Sequence, residues 1–484
     1  MTERQPSPQA GSAAAETPDP RRWRALSVAL TAGFMTLLDV SIVNVALPSV
    51  RAALDASAAQ LQWIVSGYAL TFGLVLVAAG RLGDARGRRT MFVVGVAVFT
   101  GASVVAGLAP TASWLVAARL VQGVGGGILN PQVSGLVQQL FRGAERGRAF
   151  GRLGTTIGIS TAVGPVLGGV ILSLAGPQHG WRWVFLVNLP VGLLTIVLAR
   201  RFIDPVRDPE PVRDLDPMGA LLLGAGVVGL LWPLVSDHWQ GVDAALLAAG
   251  VLALAAFVAW ERRLGARGRA PMVQLSLFSR PGYTPGALLG LVYFSGFTGV
   301  FFVLTLFFQN GLGYTPLQAG LAITPFALGS AVSATVGGRL VSRQGRRVVV
   351  AGLVLVSLGL AATDFAITLA ASRGAGSATG WWVAAPLLLA GLGSGLVISP
   401  NVTLALQEVP VHQAGTAGGV LQTGQRLGTA AGIALVGALY FRGLAAGDAT
   451  TAVQHGLWAI VTLVLAALAI GVVDLVRRGR SALA

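Results

Sequence analysis

Two ionisable residues inside long apolar runs are the first candidates for chemistry. Asp39 lies in the run 25–47 and Arg119 in the run 113–135. At ~1.5 Å per residue, each lies ~9 Å from the same face of an apolar layer ~30 Å thick. A charge deep in a bilayer costs about 2.5–3.5 kcal/mol, so such groups are rare and usually functional. The pair predicts a carboxylate that exchanges a proton, with the arginine favouring its charged form; a purely structural ion pair is the alternative.

Other residue types that support chemistry are scarce. The chain has no cysteine, which removes disulfides, thiolate metal sites and cysteine nucleophiles. Its four histidines do not pair at metal-ligand spacing, and they are His179, His238, His412 and His455. Motifs of serine hydrolases, zinc proteases and phosphate-binding loops are absent from the sequence. We therefore expect no enzyme activity, no metal and no cofactor.

The composition limits the classes of protein in which the two charged residues can lie. Of 484 residues, 54% are hydrophobic and only 11% are charged, whereas a soluble chain carries about 25% charged residues. The net charge is nevertheless +15, and all 34 basic residues are arginine. Two interpretations compete at this point: a nucleic-acid binder, or a membrane protein with basic loops.

Runs of about 20 apolar residues, each long enough to span a bilayer as a helix, favour the membrane protein. The sequence contains fourteen such segments: 25–47, 61–80, 90–109, 113–135, 148–174, 182–200, 217–236, 243–260, 286–308, 317–337, 347–370, 381–404, 416–442 and 456–476. We expect an all-α polytopic membrane protein with fourteen transmembrane helices.

The positions of the arginines predict the orientation. If the amino terminus is inside, the outside loops hold only Arg51, Arg182, Arg373 and Arg442, while most other arginines lie in inside loops. Such a bias is typical of cytoplasmic loops and predicts cytoplasmic amino and carboxyl termini. Arginines scattered over short loops do not form the basic face of a nucleic-acid-binding domain, so we expect no nucleic-acid partner.

An internal repeat divides the chain. The stretch Gly80-Arg-Leu-Gly-Asp-Ala-Arg-Gly-Arg-Arg89 recurs as Gly338-Arg-Leu-Val-Ser-Arg-Gln-Gly-Arg-Arg347, each time after the second segment of a set of six. Parallel halves of this kind are typical of transporters. The predicted divisions are a disordered cytoplasmic tail (1–20), a six-helix bundle (21–202), a linker with two inserted helices (203–280), a second six-helix bundle (281–476) and a short cytoplasmic tail (477–484).

Five motifs in order resemble the major facilitator superfamily, and within it the fourteen-span drug:proton antiporters of the EmrB/QacA type. They are Leu38-Asp-Val-Ser-Ile-Val-Asn-Val-Ala-Leu-Pro48, the 80–89 stretch, Arg119-Leu-Val-Gln-Gly-Val-Gly-Gly-Gly127, Gly164-Pro-Val-Leu-Gly-Gly169 and Trp181-Arg-Trp-Val-Phe-Leu-Val-Asn-Leu-Pro-Val-Gly192. The resemblance implies the major facilitator fold and alternating access. It also implies antibiotic resistance through multidrug efflux from the bacterial cytoplasmic (inner) membrane, driven by the proton gradient.

The resemblance assigns roles to further residues. Asp39 and Arg119 would couple transport to protons. A conformational role would fall to Gly80, Asp84, Gly87, Arg88, Gly164, Pro165, Gly168 and Gly169. We expect a substrate cavity to be lined by Asn44, Trp63, Tyr68, Gln122, Asn188, Phe297, Phe301 and Arg426. Asp364, another acid within a segment, is placed near the outer end of its helix without an assigned role.

The expected partners are hydrophobic, often cationic small molecules, protons and the lipid bilayer, with a monomeric protein. Proton-coupled export of one specific metabolite, antibiotic or lipid is the alternative. A membrane sensor without transport activity is a less favoured alternative. It would have the same helices, but it would not need two charged residues at one depth in the membrane.

Overall fold

The computed structural model of the chain is helical throughout the part that it describes, which is residues 21–481 apart from 142, 177, 206–215, 236–240, 270, 274, 281, 408 and 410–413. The predicted tail 1–20 and residues 482–484 lie outside the described residues. The helices are α1 (Arg22–Leu54), α2 (Ala58–Arg86), α3 (Arg88–Gly107), α4 (Ala112–Leu140), α5 (Gly143–Ala175), α6 (Gly180–Leu186), α7 (Asn188–Phe202), α8 (Pro217–Val235), α9 (Gly241–Ala266), α10 (Tyr283–Leu306), α11 (Pro316–Gln344), α12 (Arg346–Ser372), α13 (Thr379–Leu406), α14 (Ala414–Ala446) and α15 (Ala449–Ser481).

These helices confirm the predicted membrane architecture. Thirteen spans are long and apolar enough to cross a bilayer, with α6 and α7 forming one of them, and α8 supplies a shorter apolar helix. Together they account for the fourteen predicted segments. The last helix continues to Ser481, about a turn into the tail predicted at 477–484.

Helix ends show the internal repeat at the level of backbone geometry. Ser57 and Gln60 form a capping box at the start of α2, and Thr315 and Gln318 form the same arrangement at the start of α11. A glycine with positive φ then joins α2 to α3 and α11 to α12, Gly87 at 93° and Gly345 at 55°. Because a side chain disfavours this region, glycine permits the tight turn at both places, as predicted for Gly87.

Two bundles with two extra helices make up the fold. Helices α1–α7 form one bundle and α10–α15 the other, while α8 and α9 pack against each other and α8 also touches α2 and α14. The largest contacts between the bundles join α5 to α11 and α2 to α14. The residue boundaries proposed for the domains stay a prediction.

Contacts between the bundles extend from the middle of the helices to one end. We call the opposite end, where α1 begins and α15 ends, the arginine-rich end. Remote from it, Gln309 Nε2 donates to the carbonyl oxygen of Val45 at 2.9 Å. Nearer the middle, Thr423 Oγ1 donates to the carbonyl oxygen of Gly73 at 3.0 Å. The two bundles are therefore packed together from the middle to the end remote from the arginines.

Candidate functional site

The charged residues predicted to share one depth are in contact. Asp39 of α1 is 0% exposed and Arg119 of α4 is 1% exposed. Arg119 Nη1 donates a hydrogen bond to Asp39 Oδ2, forming a buried ion pair. Each charge offsets part of the desolvation cost of the other, which is large for an isolated ion.

Neutral polar side chains complete the surroundings of the carboxylate. Gln122 Nε2 and Asn188 Nδ2 donate to Asp39 Oδ1 at 2.9 and 3.2 Å. The same two amides donate to Ser103 Oγ at 3.2 and 3.0 Å, and Ser103 in turn donates to the carbonyl oxygen of Phe185 at 2.8 Å. Three side chains from two other helices thus donate hydrogen bonds to Asp39.

The guanidinium has partners besides the carboxylate. Arg119 Nε donates to the carbonyl oxygen of Ile64 at 3.0 Å, and Nη1 also donates to Gln122 Oε1 at 2.7 Å. Its Cζ lies 4.2 Å from the centroid of the Tyr68 ring, an arrangement that favours a cation. Arg119 would therefore keep several contacts if Asp39 became neutral.

Local sequence explains how these helices approach so closely. A Cβ at Gly123 would lie 2.4 Å from the carbonyl oxygen of Tyr68, and one at Gly125 would lie 2.4 Å from the Phe99 nitrogen. The glycines of α4 therefore let α2 and α3 pack directly beside Arg119. Asn188 is the first residue of α7, after the break that separates α6 from α7.

Ser103 is a member of the network that the sequence analysis did not predict. A serine in an apolar helix commonly bonds to its own backbone, so its type alone carries little signal. Its position near the middle of the third segment was the one available hint.

Arg426 lies at the junction of the two bundles. Its Cζ is 4.2 Å from the centroid of the Phe72 ring in α2, and a Cβ at Gly73 would lie 2.8 Å from the Arg426 Cβ. Arg426 is partly exposed, and within the described residues no acidic side chain pairs with it. A cation without an acidic partner among the described residues therefore lies where the two bundles meet.

The predicted aromatic residues of the carboxyl-terminal bundle form a cluster. Phe297 and Phe301 of α10 lie 5.6 Å apart between ring centroids, and Phe326 of α11 lies 6.0 and 5.4 Å from them. Phe297 is partly exposed, whereas Phe301 and Phe326 are buried. The cluster offers an apolar aromatic surface from one bundle.

Two other residues predicted for the cavity lie apart from the Asp39 network. Trp63 packs on Trp232 of α8, with ring centroids 5.7 Å apart, so it contacts an inserted helix. Asn44 is buried and donates to the carbonyl oxygen of Val40 at 2.8 Å. Tyr68, Gln122 and Asn188 belong to the network itself.

The conformational residues of α5 contact both bundles. A Cβ at Gly164 would lie 2.1 Å from Ser41 Oγ, and one at Gly168 would lie 2.9 Å from Ile42 Cγ1, both in α1. A Cβ at Gly169 would lie 2.5 Å from Leu317 Cα, and one at Gly320 would lie 2.4 Å from the Pro165 oxygen, both contacts joining α5 to α11. Helix α5 therefore connects the helix of Asp39 with the other bundle.

The 80–89 motif is described in part. A Cβ at Gly80 would meet Pro131 Cβ at 3.6 Å, and the Arg88 side chain lies over Gly135, where a Cβ would be 1.3 Å from Nη1. The side chain of Asp84 lies outside the described residues, so its predicted conformational role stays a prediction.

Fold and site together define a polytopic membrane protein of two helical bundles. The sequence profile of the Major Facilitator Superfamily matches residues 29–433, and the chain belongs to that superfamily.

Related proteins and structures agree with this family. The chain is 39% identical to a probable actinorhodin transporter of Streptomyces coelicolor over 92% of this chain and 77% of that protein. It is 34% identical to the puromycin resistance protein pur8 of Streptomyces alboniger, with 88% and 83% covered. The partially occluded inward-open structure of the xylose transporter XylE from E. coli shares the fold, with a TM-score of 0.64, 14% identity and 93% and 96% of the chains covered.

Proposed function

We propose that the protein exports hydrophobic small molecules, antibiotics among them, from a bacterial cytoplasm in exchange for protons. The observation that carries the proposal is the wholly buried Asp39–Arg119 pair, since ionisable groups inside a membrane are usually functional. The named activities of the relatives, actinorhodin transport and puromycin resistance, support export of antibiotics.

Proton exchange at Asp39 is the proposed driving step. In the structure, Asp39 accepts hydrogen bonds from Arg119, Gln122 and Asn188. Protonation would remove the charge that holds Arg119 against α1, while Arg119 would keep its bonds to Ile64 and Gln122. The contact between α1 and α4 would then weaken, and α1 could shift. A proton that moves inward across ~100 mV supplies about 2.3 kcal/mol for this cycle.

Helix α5 is the proposed link between protonation and alternating access. Ser41 and Ile42 follow Asp39 closely in α1 and lie against Gly164 and Gly168. The other side of α5 packs on α11 of the second bundle. A shift of α1 would therefore displace the contact between the bundles, which two-bundle transporters rearrange during transport.

The substrate is proposed to bind between the bundles rather than at Asp39 in this conformation. Asp39 is 0% exposed, so a cationic compound cannot compete with a proton for it until the helices move. Phe297, the partly exposed member of the Phe297–Phe301–Phe326 cluster, supplies an apolar surface for an aromatic ring.

Export of one antibiotic is the second candidate function. Several relatives are named for a single compound, among them the tetracenomycin C resistance and export protein of Streptomyces glaucescens, which is 32% identical over 87% of this chain and 76% of that protein. A multidrug resistance protein, Stp of Mycobacterium tuberculosis, is 34% identical over 84% of this chain and 73% of that protein, which supports the broader alternative.

A susceptibility panel in a bacterial host that lacks its own exporters tests the proposal. We expect the protein to raise resistance to one or more hydrophobic antibiotics, and Asp39→Asn to abolish this at equal membrane abundance. Asp55→Asn is the matched control, because Asp55 is an exposed acid at the end of the same helix. Full resistance with Asp39→Asn would contradict proton coupling at Asp39, and no resistance across the panel with wild-type protein would contradict drug export. The number of compounds affected distinguishes multidrug from single-antibiotic export.

A further inference from the structure

A cavity in the carboxyl-terminal bundle lies away from the Asp39 network. It has a volume of about 520 Å³ and opens at the arginine-rich end between the ends of α11, α12, α13 and α15. Four arginines line it, namely Arg343, Arg346, Arg347 and Arg478. The volume lies within the usual range for small-molecule sites.

Among the described residues, the arginines that line this cavity outnumber the acidic side chains beside it. Arg346 is buried, and its Nε donates to Asp474 Oδ2 at 2.6 Å while its Nη1 donates to Asn401 Oδ1 at 2.6 Å. Arg478 Nε donates to the second oxygen of Asp474 at 3.2 Å. One carboxylate is thus shared by two arginines, and Arg343 and Arg347 remain exposed at the mouth. Among the described residues, the cavity keeps a strong positive excess.

One buried donor of Arg346 has no hydrogen-bond partner among the described residues. This atom is Nη2, and the Arg346 side chain is 1% exposed. A buried donor without a partner costs about 1–3 kcal/mol, and more when the group is charged. An anionic oxygen that entered the cavity and reached Nη2 would remove this cost.

The backbone adds to the attraction for an anion. Helix α12 begins at Arg346, and no side chain caps its first turn. Gly345, with φ of 55°, precedes it and also lines the cavity. Free N–H groups at a helix amino terminus favour anions, and phosphate in particular.

The internal repeat explains why the excess charge occurs in this bundle. The first copy of the motif carries Asp84 among its arginines, whereas the second copy has Ser342 at the corresponding position. The second copy of the motif therefore has basic residues but no counterpart of Asp84.

Apolar surface next to the cavity indicates the kind of anion. Val472 and Val476 of α15 are 40% and 49% exposed, and they lie one turn before and one residue after Leu475, which lines the cavity. Helix α12, which packs against α15, exposes Val354 and Leu358 further along. A free phosphate would make no use of these residues, but the acyl chains of a lipid would cover them.

We propose that this cavity binds the phosphate headgroup of an anionic phospholipid, with the acyl chains along α12 and α15. Arg343 and Arg347 attract the headgroup at the mouth, and Arg346 Nη2 with the first turn of α12 receives its oxygens. The site does not depend on the proposed export function. An anionic lipid is preferred to a zwitterionic one, because the cavity carries excess positive charge.

Lipid binding to the full-length, delipidated protein tests this site. The probes are phosphatidylglycerol, phosphatidylcholine and inorganic phosphate, and the readouts are bound lipid by native mass spectrometry and the melting temperature in nanodiscs. We expect phosphatidylglycerol to bind and stabilise more than phosphatidylcholine. The double variant Arg343→Gln/Arg347→Gln should bind it roughly thirtyfold more weakly, since each arginine near anionic lipid contributes about 1 kcal/mol.

The matched control is Arg262→Gln/Arg263→Gln, which removes two exposed arginines from the end of α9. We expect this control to bind phosphatidylglycerol like wild type. Equal binding of the two lipids by wild type, or equal losses in the two double variants, would overturn the proposal. Stabilisation by inorganic phosphate alone, without an effect of phosphatidylglycerol, would overturn the assignment to a lipid.

Discussion

At the scale of residues, the Asp39–Arg119 pair depends on neutral neighbours as well as on opposite charge. Gln122 and Asn188 donate hydrogen bonds to one carboxylate oxygen of Asp39, and Arg119 donates to the other. Removing one partner of a buried ion pair costs about 3–5 kcal/mol, because the remaining charge stays buried. Removing both partners together leaves no such charge, so the two substitutions should not be additive.

A double-variant cycle should show this dependence. We expect Arg119→Gln alone to lower the melting temperature of the purified protein clearly, because Asp39 is left without its cation. Adding Asp39→Asn should restore much of the loss without restoring transport. Thermal unfolding in detergent measures the first effect and efflux the second. Strictly additive losses of melting temperature would show that the pair is not coupled.

The residue types in the sequence predicted some, but not all, members of the Asp39 network. The contact between Asp39 and Arg119 followed from depth, since two charges in apolar helices need each other. The participation of Ser103 did not follow, because serine is common in membrane helices. Trp63 packs on Trp232, a contact that the sequence did not predict, since a helix that is apolar on all sides does not reveal which face meets which neighbour. The cavity role of Trp63 stays a prediction.

At the scale of helices, α5 joins the helix of Asp39 to the second bundle. Gly164 and Gly168 meet α1, whereas Gly169 meets α11. Small residues at such spacing predict close packing of helices, and the glycine motif therefore anticipated an interface. The motif did not identify which helices pack against α5, because a small side chain permits close approach by any neighbouring helix.

Cross-linking α5 to α11 should stop transport. The chain contains no cysteine, so a pair can be introduced directly. A Cβ at Gly158 would lie 3.1 Å from Ala331 Cβ in the other bundle, near the Cβ spacing of about 3.8 Å in disulfides. We expect oxidised Gly158→Cys/Ala331→Cys to lose transport and to regain it on reduction.

The control for this cross-link lies within one bundle. A Cβ at Gly380 would lie 3.3 Å from Ala322 Cβ, and both residues belong to the carboxyl-terminal bundle. Oxidised Gly380→Cys/Ala322→Cys should keep its transport activity, measured as efflux from cells or vesicles. Unchanged transport by the oxidised α5–α11 pair would show that these helices need not separate.

At the scale of the whole molecule, the distribution of charge and contact fits a transporter that opens at alternate ends. The apolar segments and the repeat predicted fourteen helices in two bundles, because a bilayer imposes both length and composition on a spanning helix. The conformation could not be predicted, since the same sequence must adopt several. Here the bundles meet from the middle to the end remote from the arginines, through contacts such as Gln309 with Val45.

The central claim is that an exported compound and a proton on Asp39 are not bound at the same time. The most direct test is release of protons when an exported compound binds to purified protein, measured in weakly buffered solution at a series of pH values. Wild type and Asp55→Asn should release protons as the compound is added, and Asp39→Asn, although it still folds, should release none. Equal release from Asp39→Asn, or compound binding to wild type without any release, would contradict the account.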